Sequence, residues 1–341
     1  MMFKHSRHKA GFFLFLITLL FSTWCLLHIN PVQNWLVTNV SKTLSKELKT
    51  KVEIKHVDFS LFNKMLVQGV LIEDRKKDTL LYADALKVNI TDWFFFEDNI
   101  TLKYVGLAGA KINMNRTDSV WNYQFLVDYF VAPKKTARTA KGPIEIDLKV
   151  IDLDNVTINR VDKWAGQDLK GSVKKLHLTA DDFDLTKKII DINQLELETP
   201  VFALFVYKGN RPPLVSSPGR PAAIPDSGQL KLNADGWQFS IAKILIKNGT
   251  FINEKETARG PYTDRFDGQH LMFSNINGEL SKVQLVNDTI TTNIKLSTKE
   301  KSGFEIKQMV ARVKLTPGMM EFSDLDIETG KSRIEIGRAH V

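Results

Sequence analysis

Seven histidines, one cysteine and a few acidic pairs are the residues of this 341-residue chain best equipped for chemistry, and their spacing gives them no partner. His5, His8, His28, His56, His177, His270 and His340 stand apart, and none has a second ligand type at metal spacing. No HExxH, GxSxG or CxxC occurs, nor a Gly-rich phosphate loop. The acidic pairs Asp181–Asp182 and Asp324–Asp326 are expected in turns, where carboxylates hold backbone amides or water. Asn-x-Thr triplets start at Asn89, Asn99, Asn115, Asn155, Asn248 and Asn287. A turn Asn followed by a strand Thr produces the same triplet, so they carry no separate meaning. The reading is of a protein that is not an enzyme, with no catalytic residue, cofactor or metal.

Composition narrows the partners. Hydrophobic residues make up 43% and charged residues 25%, the balance of a globular protein. The formal net charge is +8, yet basic and acidic residues are interspersed. A nucleic-acid binder would carry a basic stripe with interleaved aromatics, and none is evident, so no nucleic-acid partner is expected. The excess favours an anionic membrane surface, or solubility alone.

The N-terminus supplies the first positioning element. Lys4, Arg7 and Lys9 precede an uncharged apolar run from Gly11 to Ile29, and no Lys or Arg follows until Lys42. As a helix such a run spans ~28 Å, close to the ~30 Å hydrocarbon core. A cleaved signal peptide would have a shorter apolar core and a small-residue cleavage site. Lipidation at Cys25 would not be expected directly after Trp24. The expectation is a cytoplasmic tail over 1–10, an uncleaved single-pass anchor over 11–29, and the rest beyond the membrane. Cys25 lies in that anchor, so the exported part can form no intrachain disulfide.

An amphipathic helix is expected over 31–50, with Leu36, Val40, Leu44 and Leu48 in a stripe beside Trp35 and Val37. It either caps the first strands or lies on the membrane with Trp35 at headgroup level. From Lys51 the apolar period falls to two, as in Ile100-x-Leu102-x-Tyr104 and Ile144-x-Ile146-x-Leu148. Helical patterning disappears, except for a turn near Trp121–Phe130. A short pattern recurs in Met65–Ile72, Val105–Ile112, Ile151–Ile158 and Ile244–Phe251: two alternating apolar residues, then Gly or Asn, then another apolar residue. Its anchors are Val67, Leu107, Leu153 and Ile246. Val88–Phe94 and Leu176–Phe183 form a second recurring element. Stacked β units of this kind build an elongated sheet. Ala132–Pro143 and the Pro-rich Gly209–Gly228 read as surface loops.

An open sheet would leave one apolar face that must hold acyl chains, pair with another apolar surface or collapse on itself, and Ile100, Leu102, Tyr104, Ile144, Ile146 and Leu148 are the candidate groove residues. Strand alternation alone fits a closed β sandwich equally well, and it does not say which face is concave.

The anchor, the segment Trp35–Lys51, the run Val52–Asp74, then Asp78–Asp84, Asn89–Phe94 and Thr117–Phe125 together resemble the N-terminal part of TamB (translocation and assembly module) proteins. These belong to the wider AsmA-like family, and the resemblance is to the form found in Bacteroidetes. Residues 1–130 carry most of it. It implies a mainly β fold in which the two N-terminal helices precede an elongated, curled, taco-like sheet over 51–335. It also implies a protein of the inner membrane whose bulk is periplasmic. Its apolar groove would take phospholipid acyl chains and move phospholipid between inner and outer membranes. The alternative implication is a scaffold for translocation and assembly of outer-membrane proteins with a BamA-like barrel partner, which would be met through a C-terminal part absent here. Ile336–Val341 matches translated sequencing-adapter DNA, so 336–341 is expected to be a read-through artefact and the frame truncated.

Overall fold

The computed structural model describes residues 30–60, 64–90, 100–131, 144–184, 187–212, 233, 236–262 and 265–340. The anchor over 11–29 and the loop 132–143 lie outside these residues, as does most of the Pro-rich loop. Among the described residues no helix is long and apolar enough to cross a membrane.

Period-two patterning becomes one mixed sheet of sixteen strands. Helix α1, Asn30–Leu48, leads into β1 (Val52–Glu53), β2 (His56–Ser60), β3 (Lys64–Glu73) and β4 (Thr79–Ile90). Next come β5 (Ile100–Ala108), β6 (Lys111–Arg116) and the short α2 (Gln124–Val131). The sheet continues through β7 (Ile144–Asp162), β8 (Gln167–Asp184), β9 (Ile189–Glu198), β10 (Val201–Val206) and β11 (Gln238–Lys255). A meander of β12 (His270–Val286), β13 (Thr289–Glu300), β14 (Glu305–Thr316), β15 (Met319–Thr329) and β16 (Arg333–His340) completes it. The terminal residues 336–340 thus lie in β16, paired to β15.

The sheet is built from three-strand units. β3 and β4 form a hairpin, and a broken third strand, β5 then β6, runs antiparallel to β4 and parallel to β7. β7, β8 and the broken β9–β10 repeat this arrangement, with β9 and β10 both parallel to β11. The recurring sequence pattern marks the place where the strands crease. Gly69, Gly109, Asn155 and Asn248, the Gly or Asn of each copy, all have positive φ between 52° and 62°. Thr199, between β9 and β10, does the same at 51°. These residues follow one line across the strands: Thr199 N–H donates to Lys247 O at 2.8 Å, and Gly109 N–H to Asp154 O at 2.9 Å. At Gly109 an added Cβ would lie 1.9 Å from Asp84 Oδ2, so a larger residue there would have to displace that side chain.

The crease also shifts the apolar spacing from two to three. Val67 and Val70 both enter one core cluster, as do Leu153 and Val156. A strand crossing the line therefore keeps its apolar residues on one face, although strict alternation would turn them over.

Helix α1 packs on β1 and β2. Its buried side carries Val37 and Leu48, with Leu44 packed alongside, whereas Val40 is 38% and Trp35 63% exposed. The expected stripe is thus rotated: Val37, Ser41, Leu44 and Leu48 follow the 3.6-residue period more closely than strict fours do. The helix caps the first strands, as one of the two readings required.

Candidate functional site

Register pairing assembles the site from single residues on successive strands. Directly paired residues share a face, so a chain of pairs traces a row across the sheet. One row runs Val57, Val67, Leu86, Leu107, Leu153, Leu176 and Leu197. It continues through Ile246, Gly278, Leu296, Met309, Ile327 and Ile334. All four anchors of the sequence repeat stand in it. At ~4.8 Å between strands it measures on the order of 55 Å along the sheet. Its single interruption is a fit requirement, since a Cβ on Gly278 would come within 2.3 Å of the Lys295 carbonyl oxygen.

A second row lies beside the first: Met65, Val88, Val105, Ile151, Leu178, Leu195, Ile244, Leu280, Ile294 and Ala311. Beyond the crease a third contains Ile72, Leu81, Ile112, Ile158, Gly171, Phe202, Phe251 and Phe273. Within it the Phe202 and Phe251 rings stack 6.0 Å apart.

The reverse face has the opposite chemistry. Between the first two rows the alternate positions read Lys87, Gly106, Asp152, His177, Glu196, Leu245, Glu279 and Lys295. His177 Nδ1 lies 2.6 Å from Asp152 Oδ1. Lys243 pairs Glu279 at 3.0 Å. Tyr104 belongs here, because its hydroxyl would touch a Cβ on Gly106 at 2.7 Å, and it hydrogen-bonds Asp152. Burial, then that carboxylate, raises its pKa.

The six candidate groove residues are therefore not equivalent. Ile100 pairs Ile144 and Leu102 pairs Ile146 across parallel β5 and β7, and Leu148 falls in the irregular stretch that follows. Tyr104 pairs Val150 and Asn89 and takes the polar face. Sequence alternation grouped it with Leu102, but the ladder slips between them. The acidic pairs also differ from expectation. Asp181 and Asp182 lie within β8, and Asp324 within β15, at φ 52° and paired with Arg312.

The sequence reading missed four buried carboxylates that fasten the rim where β3, β7, β11 and β13 end. Asp74, Asp162, Asp267 and Glu300 are all at most 2% exposed. Asp74 Oδ1 accepts the Lys76 and Asp78 N–H groups, and its Oδ2 accepts from Asn122. Asp162 takes two hydrogen bonds from Arg116 at 2.7 and 2.8 Å, one from Arg160 and one from the Ala165 N–H. Arg116 and Arg160 both lie over the Trp121 ring. Asp267 is held well below the carboxylate range by Arg259, against the effect of its burial and with help from the Tyr262 and Gln269 N–H groups. An acid at the first position of a turn was the available signal.

His270 is buried, with Nδ1 2.5 Å from Glu254 and Nε2 3.3 Å from Thr257. These contacts secure the same rim. Among the described residues no group of His, Cys, Asp and Glu is placed to hold a metal ion. No protein-family model matches the chain, and no curated protein matches it.

Proposed function

We propose that the apolar face carries lipid: phospholipid acyl chains lie along an open, curled sheet. The protein is tethered to the inner membrane through 11–29, and it moves phospholipid across the periplasm toward the outer membrane. The observation supporting this is that the apolar rows continue past the last strands that a core cluster of the described residues reaches. Core clusters among the described residues involve α1, α2 and strands up to β11, whereas Leu280, Leu296, Met309 and Ile327 stay half-exposed and Ile334 is 46% exposed. An apolar face with no second layer must take acyl chains, meet another apolar surface or collapse. Each methylene moved from water onto it contributes ~0.8 kcal/mol, so a dozen contribute on the order of 10 kcal/mol before ordering costs. The TamB resemblance supplies the membrane bridge and a BamA-like barrel partner reached through a further C-terminal part.

The test is lipid content and folding in Leu280→Arg and Leu296→Arg. Both variants should stay folded and lose most co-purifying phospholipid by mass spectrometry. Folded variants with unchanged lipid would end the conduit reading, and unfolded ones would indicate a closed sandwich. A second reading, a scaffold templating outer-membrane strands, draws on β16, which pairs only β15 among the described residues. It predicts bound extended polypeptide in place of lipid.

A further inference from the structure

The two rims of the sheet differ in charge, and the difference follows from how the turns are fastened. At the rim where β3, β7, β11, β13 and β15 end, the buried carboxylates Asp74, Asp162, Asp267 and Glu300 point inward and satisfy their own turns. The neighbouring cations are left outside. Arg75, Lys76, Lys163, Arg265 and Lys331 are exposed and Lys301 half-buried. None of the six is in an ion pair among the described residues. Some strand lysines are paired, as Lys174 is with Glu198 at 2.8 Å.

Exposed acids at these turns are fewer, Asp78 and Glu256 among them. The described turns of the opposite rim hold fewer exposed cations: Lys187, which pairs Asp184, and Lys188 share one turn, Asp288 accepts the Asn233 N–H at another, and Pro317–Gly318 carries no charge. The basic rim also exposes Phe266 at 59% and Phe304 at 48%, and the Ile72–Phe273 row lies directly inside it. Cations at an edge, aromatics beside them and an apolar face behind match the order of a lipid's phosphate, interface and acyl chain.

We propose that this rim is a headgroup track, which makes anionic phospholipid the favoured cargo and seats its phosphate among the turn cations. The inference rests on the lipid-carrying reading of the apolar face. Its test loads the delipidated full chain from vesicles containing equal phosphatidylglycerol and phosphatidylcholine, then measures both bound lipids by mass spectrometry. The rim variant Lys76→Glu/Lys163→Glu/Lys301→Glu is compared with Lys87→Glu/Lys175→Glu/Lys295→Glu. The second set makes the same charge change at strand positions away from that rim.

The parent and the strand variant should enrich phosphatidylglycerol. The rim variant should lose that preference by roughly tenfold or more while holding phosphatidylcholine normally. Lipid bound without headgroup preference, or an equal loss in the strand variant, overturns the headgroup track and leaves the conduit standing. Absence of both lipids overturns both readings.

Discussion

The two ends of the sheet share the same apolar rows but differ in what covers them. At the β2–β4 end, Val57, Val67 and Val70 are at most 8% exposed, packed with α1 through Val37 and with Ala83. In β12–β16 the described apolar residues with that degree of burial are Ala311 and Leu325, and no core cluster of the described residues reaches these strands. Pairing continues equally well at both ends, so backbone hydrogen bonds hold the meander, over which no second layer is packed among the described residues. One end is a capped core and the other a surface in waiting. A charge placed in the same row should therefore mean different things at the two ends.

Val67→Asp against Leu296→Asp is the strongest way to break this comparison. A carboxylate at Val67 would sit unpaired beneath α1, at roughly 3–5 kcal/mol. At Leu296 the same group keeps access to water and should cost about 1 kcal/mol or less. Chemical denaturation of both variants measures the difference. Equal losses would mean that some layer covers β13, and the open end would have to be abandoned.

Residue spacing made the β class legible, because burying one face of a sheet imposes a period of two. It also exposed the crease, since Gly and Asn are the residues that enter positive φ most cheaply. Strand order was not legible. Val67, Leu107 and Leu153 look like consecutive repeats in the chain, yet the repeating unit spans three strands, and parallel crossovers leave no local spacing signal. The face of Tyr104 was hidden for a related reason: a slip in the ladder beside it moves its neighbours without changing the sequence alternation. The buried acids escaped because a turn carboxylate reads as solvated until its donors are seen.

Those acids sharpen the comparison from another side, since one of them fastens β6 to β7 beside the capped end. Burial pushes the Asp162 carboxyl up, but the Arg116 hydrogen bonds, the Ala165 N–H and the nearby guanidinium charges hold it below its ordinary value. A lowered folded pKa gives stability that is present above the unfolded value, ~3.9, and is lost as pH falls through the folded one. Asp162→Asn should therefore cost roughly 2 kcal/mol near neutrality, the scale of charged hydrogen bonds. The gap to the parent should begin to narrow below about pH 4 and keep narrowing as the pH falls further. Thermal unfolding of both proteins from pH 7 to pH 2.5 checks this, and a constant gap would mean that the carboxylate charge contributes nothing.

The smallest expected effect separates the two faces at a single strand. Tyr104 and Val105 are neighbours in β5, one beside Asp152 on the polar side and the other paired with Ile151 in the apolar row. Tyr104→Phe removes a hydroxyl and one hydrogen bond from a half-buried position, so stability should fall by about 1 kcal/mol or less. Bound phospholipid should not change, because the deleted group faces away from the rows. Val105→Asn puts a polar group into the second row and should lower bound lipid with a similar loss of stability. If Tyr104→Phe depletes lipid as much as Val105→Asn does, the assignment of faces fails, and the polar side must be reconsidered as the carrying surface.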